Sequence, residues 1–223
     1  MAAHPADHPG PLVFVGDVEA PELADDDRHH LERVLRLRAG ALLTIGDGRG
    51  RWRAARLGAA VEPTGAIEES PRPVPELTVG FALVKGDKPE LVVQKLTELG
   101  IDRIAPFRAE RSVVRWDEAR AAKAVARLRQ VARSAAAQCH RPWLPEIADV
   151  AELAGLLALD GVAVAERGAG PLPATCTTVL VGPEGGWAPG EVPADLPAVG
   201  LGPHVLRAET AAIAAGVVLT RER

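Results

Sequence analysis

The sequence lacks tyrosine and has only two cysteines, four tryptophans and three phenylalanines among its 223 residues. Cys139 and Cys176 are too few and too far apart for a disulfide framework or a paired-cysteine metal site, which favours the reducing cytosol. An aromatic content of 3% argues against a surface that stacks a run of single-stranded bases. No apolar run approaches the roughly 18 residues that span a bilayer, and no signal peptide is recognisable. We therefore expect a cytoplasmic protein without a membrane segment.

The net charge is only −4, but the basic residues are concentrated in two segments. Residues 28–56 contain eight arginines against two acidic residues, and residues 103–141 contain nine arginines and one lysine against three acidic residues. The rest of the chain is therefore strongly acidic. Such segregation is typical of a protein that binds RNA or DNA. Arginines spread over solvated helix faces are the alternative, and charge alone does not separate the two.

Motifs of several common enzyme classes are missing. The chain contains neither the phosphate-binding GxxxxGK[ST] nor the dinucleotide-binding GxGxxG, and it has no GxSxG nucleophile motif. His29 and His30 are adjacent, so on a helix they point about 100° apart and cannot readily share a metal ion. We expect no metal site.

Two regions of the sequence differ in their pattern. Up to residue 62, predicted strands at 12–15, 41–45 and 51–57 surround one helix at 29–37, and the glycine-rich residues 46–50 indicate a hairpin. A proline-rich stretch, residues 62–76, is a predicted linker. Beyond it, strands at 77–84, 101–107, 162–165, 177–181 and 199–201 alternate with helices at 89–99, 117–139 and 209–219. This alternation predicts an α/β fold with a mostly parallel sheet covered on both faces.

Three glycine-rich loops follow predicted strands: residues 166–170, 182–186 and 201–210. The second is GPEGG after the apolar TTVLV, and the third ends in RAET before an alanine-rich helix. Ligands of open α/β sheets bind at the carboxyl ends of strands, and glycine allows close approach to the backbone. The second and third loops are thus the candidate ligand site, although Glu209 and Thr210 would also suit an ordinary helix N-terminus.

Taken together, these motifs resemble the RsmE family of 16S rRNA uracil-N3 methyltransferases, within the SPOUT superfamily. The resemblance runs nearly end to end. In the N-terminal region the matching residues are HH at 29–30, VLR at 34–36, Gly40 and DG at 47–48. In the middle of the chain they are KGD at 85–87, QK at 94–95, ELG at 98–100, ERS at 110–112, Gln138, Arg141 and Pro145. Near the C-terminus they are LVGPEGG at 180–186, LG at 201–202 and VLRAETA at 205–211. GPEGG followed by LGxxVLRxETA, with KxxELG upstream, is highly specific.

The resemblance implies a PUA-like RNA-binding β-barrel domain at residues 1–70 and a SPOUT methyltransferase domain with a C-terminal trefoil knot at residues 75–223. It also implies a homodimer, S-adenosylmethionine as cofactor, and as target a uridine in the decoding region of the 16S rRNA of the small ribosomal subunit. The cofactor-binding residues would be Gly182, Pro183, Gly185, Leu201, Gly202, Val205, Leu206 and Thr210. The RNA-binding residues would be Arg33, Arg36, Lys85, Lys95, Arg111 and Arg141.

Methylation of uracil N3 requires loss of the N3 proton and stabilisation of the negative charge that spreads onto the ring oxygens. Arg207 is the candidate for stabilising the uracil anion. Glu184 or Glu209 is the candidate proton acceptor, or else orients Arg207. The reaction itself needs no metal.

The sequence departs from the family pattern at Ala137, where the family usually has Glu, and at His204, where it usually has Arg. If that arginine contacts RNA or cofactor, His204 would do so more weakly and with pH dependence. The departures leave open a non-catalytic rRNA-binding or ribosome-assembly factor. A methyltransferase that acts on tRNA or on a ribose hydroxyl is a third interpretation. Cofactor affinity and the position of the methylated nucleotide separate these alternatives.

Overall fold

The computed structural model of the chain describes residues 4–221, and it divides into two compact units. One unit contains the chain up to Arg72 together with Arg133–Leu144. The other contains Pro73–Ala132 and the chain from Pro145 onward. The division after Arg72 falls inside the proline-rich stretch 62–76. The return of residues 133–144 to the first unit has no signature in the sequence pattern.

The first unit contains a five-stranded sheet. Its strands are β1 (Leu12–Phe14), β2 (Leu42–Gly46), β3 (Arg51–Arg56), β4 (Glu62–Pro63) and β5 (Glu68–Glu69). β1 pairs with β2 in parallel, while β3 pairs antiparallel with β2, β4 and β5. The β2–β3 hairpin confirms the prediction for residues 46–50, and Asp47 Oδ1 accepts hydrogen bonds from the N–H groups of Arg49 and Arg51. The linker prediction was wrong for part of its length, because β4 and β5 lie within it.

The helix of the first unit begins and ends earlier than predicted. Helix α1 (Asp25–His29) continues as one turn of π-helix, His30–Val34, instead of running to residue 37. Leu31 is buried, whereas Val34 is 60% exposed. The predicted apolar stripe is therefore only partly a core face. Arg36 then turns the chain in a left-handed conformation with φ of +56°.

The second unit alternates strands with helices around a seven-stranded sheet whose recorded pairs are all parallel. Its elements are β6 (Thr78–Ala82), α2 (Lys88–Glu98), β7 (Arg103–Arg108), α3 (Glu118–Gln138, which ends in the first unit), β8 (Glu146–Ile147), β9 (Ala151–Glu152), α4 (Leu153–Leu157), β10 (Val162–Ala165), β11 (Thr178–Val181), β12 (Ala198–Val199) and α5 (Ala208–Arg221). The predicted α/β class is confirmed. The short elements β8, β9 and α4 lie outside every predicted strand and helix.

The order of the strands places the candidate loops side by side. The sheet runs β12-β10-β11-β6-β7-β8, with β9 also paired to β7. β10 therefore lies between β11 and β12, and parallel strands present their carboxyl ends at one edge. The loops after these three strands must meet at that edge.

The helix α2 has clear sequence determinants. Pro89 lies in its first turn, where a missing N–H costs nothing, and Gly100 follows its end with φ of +91°. Val92, Val93 and Leu96 are each fully buried in the core of the unit. Burial of such side chains stabilises the fold by about 1.5–3 kcal/mol each. Among the described helices, none has the length and apolar character needed to cross a bilayer.

Candidate active site

A cavity of about 430 Å³ opens at the carboxyl ends of β10, β11 and β12. Three stretches of chain form its wall: residues 165–167 from the end of β10, residues 181–184 and 186–187 from the end of β11, and residues between 201 and 211 that lead into α5. Apolar side chains and glycine backbone dominate the wall, with Glu166, Arg167, Glu184 and His204 as its charged or titratable members. A pocket of this size and character suits a small organic ligand.

Glycines shape the wall in two different ways. A Cβ on Gly182 would lie 2.9 Å from the indole of Trp187, so only glycine lets that ring pack against the end of β11. Gly202 has φ of +138°, and no atom lies within 4 Å of the position of a Cβ there. The backbone at Gly202 is thus open to a ligand, whereas Gly182 is required for packing.

Lys88, the first residue of α2, joins two carboxylates at this site. Its Nζ lies 3.4 Å from Oε1 of Glu184 and 3.2 Å from Oε1 of Glu209. The Glu184 side chain is 59% exposed and the Glu209 side chain is 12% exposed. One ammonium group therefore connects the loop after β11 with the first turn of α5.

Glu209 is held in its ionised form. Burial raises the pKa of its carboxyl, but the backbone N–H of Glu209 and the Lys88 ammonium outweigh burial, and the charge of Arg207 adds to them, so the net pKa lies below the ordinary value. Its second oxygen, Oε2, is buried and has no hydrogen-bond partner among the described residues. That oxygen can accept a hydrogen bond from an incoming donor.

Most of the predicted cofactor-binding residues are brought together by the structure. Six of the eight line the cavity: Gly182, Pro183, Leu201, Gly202, Val205 and Leu206. Gly185 and Thr210 are not among the described residues of the wall. A Cβ on Gly185 would instead lie 3.6 Å from Cβ of Arg111, an ordinary contact.

The predicted catalytic residues occupy different positions. Glu184 lines the cavity, whereas Glu209 and Arg207 are not among its wall residues. Arg207 is exposed immediately before α5, and its charge acts on Glu209. The geometry therefore distinguishes the two carboxylates: Glu184 faces the ligand space, and Glu209 is enclosed beside it.

The loop after β7 is bound to the loop that follows β11. Arg111 donates a hydrogen bond to the carbonyl oxygen of Gly185 at 3.3 Å. Glu191 accepts hydrogen bonds from the N–H groups of Glu110 at 2.6 Å and Ala188 at 2.8 Å. These contacts fix residues 109–112 against one wall of the cavity.

The predicted RNA-binding residues fall into two groups, those that are exposed and those that have contacts within the protein or are partly buried. Arg33, Arg36 and Lys85 are exposed. Lys95 forms an ion pair with Glu98 at 2.8 Å, and Arg111 contacts Gly185. Arg141 is half-buried. The first group is free to meet a polyanion at the surface of its own unit, and the others have structural contacts or partial burial.

Many other arginines of the two basic segments are engaged within the protein. In residues 28–56, four of the eight donate to carboxylates or carbonyl oxygens: Arg28, Arg51, Arg53 and Arg56. In residues 103–141, ion pairs involve Arg103, Arg108, Arg127, Arg129 and Arg133. The basic character of these segments thus serves folding as well as any contact with RNA.

Sequence reasoning missed Lys88, Trp187 and Glu191. The motif KGD at 85–87 ends one residue before Lys88. An amphipathic pattern does not show that the first residue of a helix reaches a distant loop and the start of another helix. The loop at 166–170 carried only a weak signal, yet Glu166 and Arg167 line the cavity.

Comparisons with known proteins agree with this geometry. The family model of an RNA methyltransferase domain matches residues 70–220, and that of an RNA methyltransferase PUA domain matches residues 23–63. The ribosomal RNA small subunit methyltransferase E of Mycobacterium bovis is 36% identical, with coverage of 86% of this chain and 83% of that protein. The enzyme of the same name from Bacillus subtilis is 36% identical over 60% of each chain.

Two solved structures have the same fold. A Neisseria gonorrhoeae ribosomal RNA small subunit methyltransferase E bound to S-adenosylmethionine is 29% identical, with a TM-score of 0.79 and coverage of 93% of this chain and 96% of that one. A Legionella pneumophila methyltransferase in complex with the same cofactor is 25% identical, with a TM-score of 0.83 and coverage of 96% and 98%.

The fold and the matched domains define an RNA methyltransferase with an N-terminal PUA domain. Within that class, the identity and coverage shared with the Mycobacterium bovis enzyme place the chain in the ribosomal RNA small subunit methyltransferase E family, RsmE. The resemblance found in the sequence is confirmed.

Proposed function

We propose that this protein methylates N3 of a uridine in the decoding region of 16S rRNA, with S-adenosylmethionine as the methyl donor. Membership of the RsmE family supports the class of reaction. The observation that carries the proposal is the cavity at the ends of β10, β11 and β12, which is walled by the glycine-rich loops of the family motif.

The residues present fit the cofactor. The cavity volume of about 430 Å³ lies in the range of small-molecule sites. Leu201, Val205 and Leu206 offer apolar surface, and the backbone at Gly202 is open. These residues, with Gly182 and Pro183, would hold the cofactor. When bound, S-adenosylmethionine supplies an electrophilic methyl group on its sulfonium.

Glu184 is the residue that would accept the N3 proton. Its carboxylate lines the cavity, and its exposure leaves it accessible to a base that enters from solution. Geometry within reach of the proton is the first requirement of a general base. Glu209 has the lowered pKa and the enclosed position of a carboxylate that orients its neighbours.

Arg207 would stabilise the negative charge that develops on uracil O2 or O4. It is exposed beside Glu209, and no ion pair of its guanidinium is recorded among the described residues. A fixed cation at the developing charge lowers the barrier, since it stabilises the transition state more than the neutral base. Lys88 contributes indirectly by holding Glu184 and Glu209 in place.

The proposal extends to the partners and the location. The exposed Arg33, Arg36 and Lys85 would contact rRNA phosphates, so affinity for RNA should fall steeply with salt. An affinity that does not respond to salt would contradict this role. A homodimer and the trefoil knot, which the resemblance implies, and a cytoplasmic location, which the cysteine content favours, stay predictions.

The first test is calorimetric titration with S-adenosylmethionine. Ala211 lies in α5 and lines the cavity, so Ala211→Leu should fill part of the ligand space and weaken binding by tenfold or more. Ala126→Leu, at an exposed position of α3, is the matched control and should bind as the wild type does. Equal affinities of the wild type and Ala211→Leu would show that the cofactor binds elsewhere.

The second test maps the methyl group. Small subunits that lack the modification are incubated with the protein and labelled cofactor, and the RNA is then read by primer extension. A methyl group on uracil N3 blocks base pairing and stops extension, whereas ribose methylation leaves the pairing edge intact. Cofactor binding without transfer to RNA would favour a non-catalytic rRNA-binding factor instead.

A further inference from the structure

A second cavity of about 610 Å³ lies in the second unit, beside the loop that follows β7. Its wall combines residues between 108 and 116, the residues around the start of α4, and Glu191. None of the residues predicted for cofactor binding, catalysis or RNA binding lines it. Its volume is in the range of ligand sites, roughly 300–1,000 Å³.

Trp116 contributes a free indole ring to this wall. The other tryptophans are engaged: Trp52 and Trp143 donate hydrogen bonds to Ser70, and Trp187 stacks on Phe107 with 6.1 Å between ring centroids. Among the described residues, the half-buried indole of Trp116 has no recorded ring, cation or hydrogen-bond partner. Such a ring is a surface on which a flat ligand can stack.

Two charged side chains of the same wall are also without partners. Within residues 4–221, neither the carboxylate of Glu110 nor the guanidinium of Arg115 has a recorded ion pair or hydrogen bond, and both are exposed. The remaining charges are occupied, since Arg108 pairs with Glu152 at 2.7 Å and Glu191 binds backbone N–H groups. The cavity therefore offers a stacking surface, a hydrogen-bond acceptor and a cation.

We propose that this cavity binds one nucleotide of the RNA substrate, close in sequence to the uridine that is methylated. The base stacks on Trp116, its amino group donates to the Glu110 carboxylate, and its phosphate is neutralised by Arg115. Guanine, adenine and cytosine carry such an amino group and uracil does not, so the cavity favours a nucleotide other than uridine. The inference rests on the proposed function, because its ligand is part of the RNA that this enzyme modifies.

The position of the cavity relative to the cofactor site supports this occupant. The segment that carries Glu110 is bound to the loop after β11 through Glu191 and through the contact of Arg111 with Gly185. A nucleotide held in the cavity is therefore fixed relative to the wall that contains Glu184. One stacked nucleotide is also consistent with the low aromatic content, which excludes a platform for many bases but not a single pocket.

The test is a binding cycle with a decoding-region RNA fragment that the wild-type protein methylates. Versions of the fragment, each with one abasic nucleotide near the target uridine, are titrated with the wild type and with Trp116→Leu. One abasic position should weaken wild-type binding about tenfold or more, the usual effect of losing one stacked base. Trp116→Leu should weaken binding of the intact fragment to a similar extent and be insensitive to that abasic position, because groups in contact are non-additive.

The control is Val113→Leu, which changes a 70% exposed side chain of the same segment that is not part of the wall. This variant should bind every fragment as the wild type does. Glu110→Ala provides a second variant, which removes the proposed acceptor at an exposed position. It should weaken binding and reduce the discrimination against uridine at the position that Trp116 senses.

Three results would overturn the inference: wild-type affinity in Trp116→Leu, an equal loss on all abasic fragments, or, if Trp116→Leu fails to fold, wild-type behaviour of Glu110→Ala. None of these three results affects methylation by the wild type, so none of them contradicts the proposed function. Failure of the wild type to methylate either the fragment or the small subunit would instead overturn the proposed function.

Discussion

Lys88 and Glu209 form an ion pair of 3.2 Å between the first residue of α2 and the first turn of α5. The same Lys88 ammonium lies 3.4 Å from Glu184 in the loop after β11. The pair with Glu209 is the more enclosed of the two, so solvent screens it less. A single cation thus holds two carboxylates that would otherwise repel each other beside the cavity.

Lys88→Met should change how the site responds to pH. Without the cation, the pKa of Glu209 should rise because burial and its like-charged neighbour both disfavour ionisation. Because Glu209 must be ionised to orient its neighbours, we expect the acidic limb of the kcat/KM profile to move to higher pH and kcat to fall about tenfold. Methylation rates measured across the pH range test this expectation.

Two matched variants distinguish the loss of the Lys88 ion pairs from a general loss of protein stability. Lys88→Arg keeps the cation and should recover most of the activity and the wild-type pH profile. Gln94→Met changes an exposed side chain of the same helix and should leave the profile unchanged. If Lys88→Met is folded and retains the wild-type profile, the ion pairs have no part in the reaction.

Arg207→Ala should remove stabilisation of the uracil anion. The expected cost is about 3 kcal/mol in the transition state, or about 100-fold in kcat, which is typical for the loss of one charge-stabilising donor. Affinity for S-adenosylmethionine should change little, because Arg207 is not among the described residues of the cavity wall. Single-turnover methylation and calorimetry measure the two quantities separately. Near-wild-type turnover of a folded Arg207→Ala protein would contradict the assignment.

The sequence predicted the architecture of the second unit well, because its determinants are local. Alternating β and α patterns, Pro89 at the start of α2 and Gly100 after its end each depend on neighbouring residues. The glycine-rich loops were recognisable for the same reason, and the parallel sheet brings them to one edge. Six predicted cofactor-binding residues accordingly line one cavity.

The remaining features depend on contacts between distant residues. Lys88 and Glu184 are 96 positions apart, and Glu110 and Glu191 are 81 apart, so no periodicity reveals either contact. The predicted helix at 29–37 failed for a related reason, since only tertiary burial distinguishes Leu31 from the exposed Val34. For the same reason, the charge pattern did not show that many arginines of the basic segments bind partners within the protein.

Glu209→Gln should alter the pH dependence of stability. A carboxyl whose pKa is lowered in the folded state stabilises the protein above its unfolded pKa, and that contribution disappears as the pH falls through the folded value. The pKa of Glu209 lies below its ordinary value of 4.5. We therefore expect the wild type to be more stable than Glu209→Gln at neutral pH, and the difference to shrink as the pH falls below about 4.

Urea unfolding at neutral and acidic pH measures this difference. Glu22→Gln is the control, because Glu22 is exposed and lies outside the helices and strands of the described residues. A gap between the wild type and Glu209→Gln that stays constant down to acidic pH would argue against the ion pair with Lys88 as a source of stability.

Replacement by alanine should change the free energy of unfolding in opposite directions at Gly216 and Gly155. Both lie inside helices, α5 and α4, where alanine is favoured over glycine by about 1 kcal/mol. A Cβ on Gly216 would lie 2.6 Å from Cδ2 of the fully buried Leu96 and 3.2 Å from Cδ1 of Leu99, whereas a Cβ on Gly155 meets nothing within 4 Å.

Overpacking a buried contact costs about 1–3 kcal/mol, which exceeds the gain in helix propensity. Gly216→Ala should therefore lower the free energy of unfolding by about 1 kcal/mol, and Gly155→Ala should raise it by about 0.5–1 kcal/mol. Chemical denaturation of the two variants measures both signs in one experiment. If both substitutions stabilise the protein, Leu96 must be able to move, and the packing of α5 against α2 is looser than the 2.6 Å approach indicates.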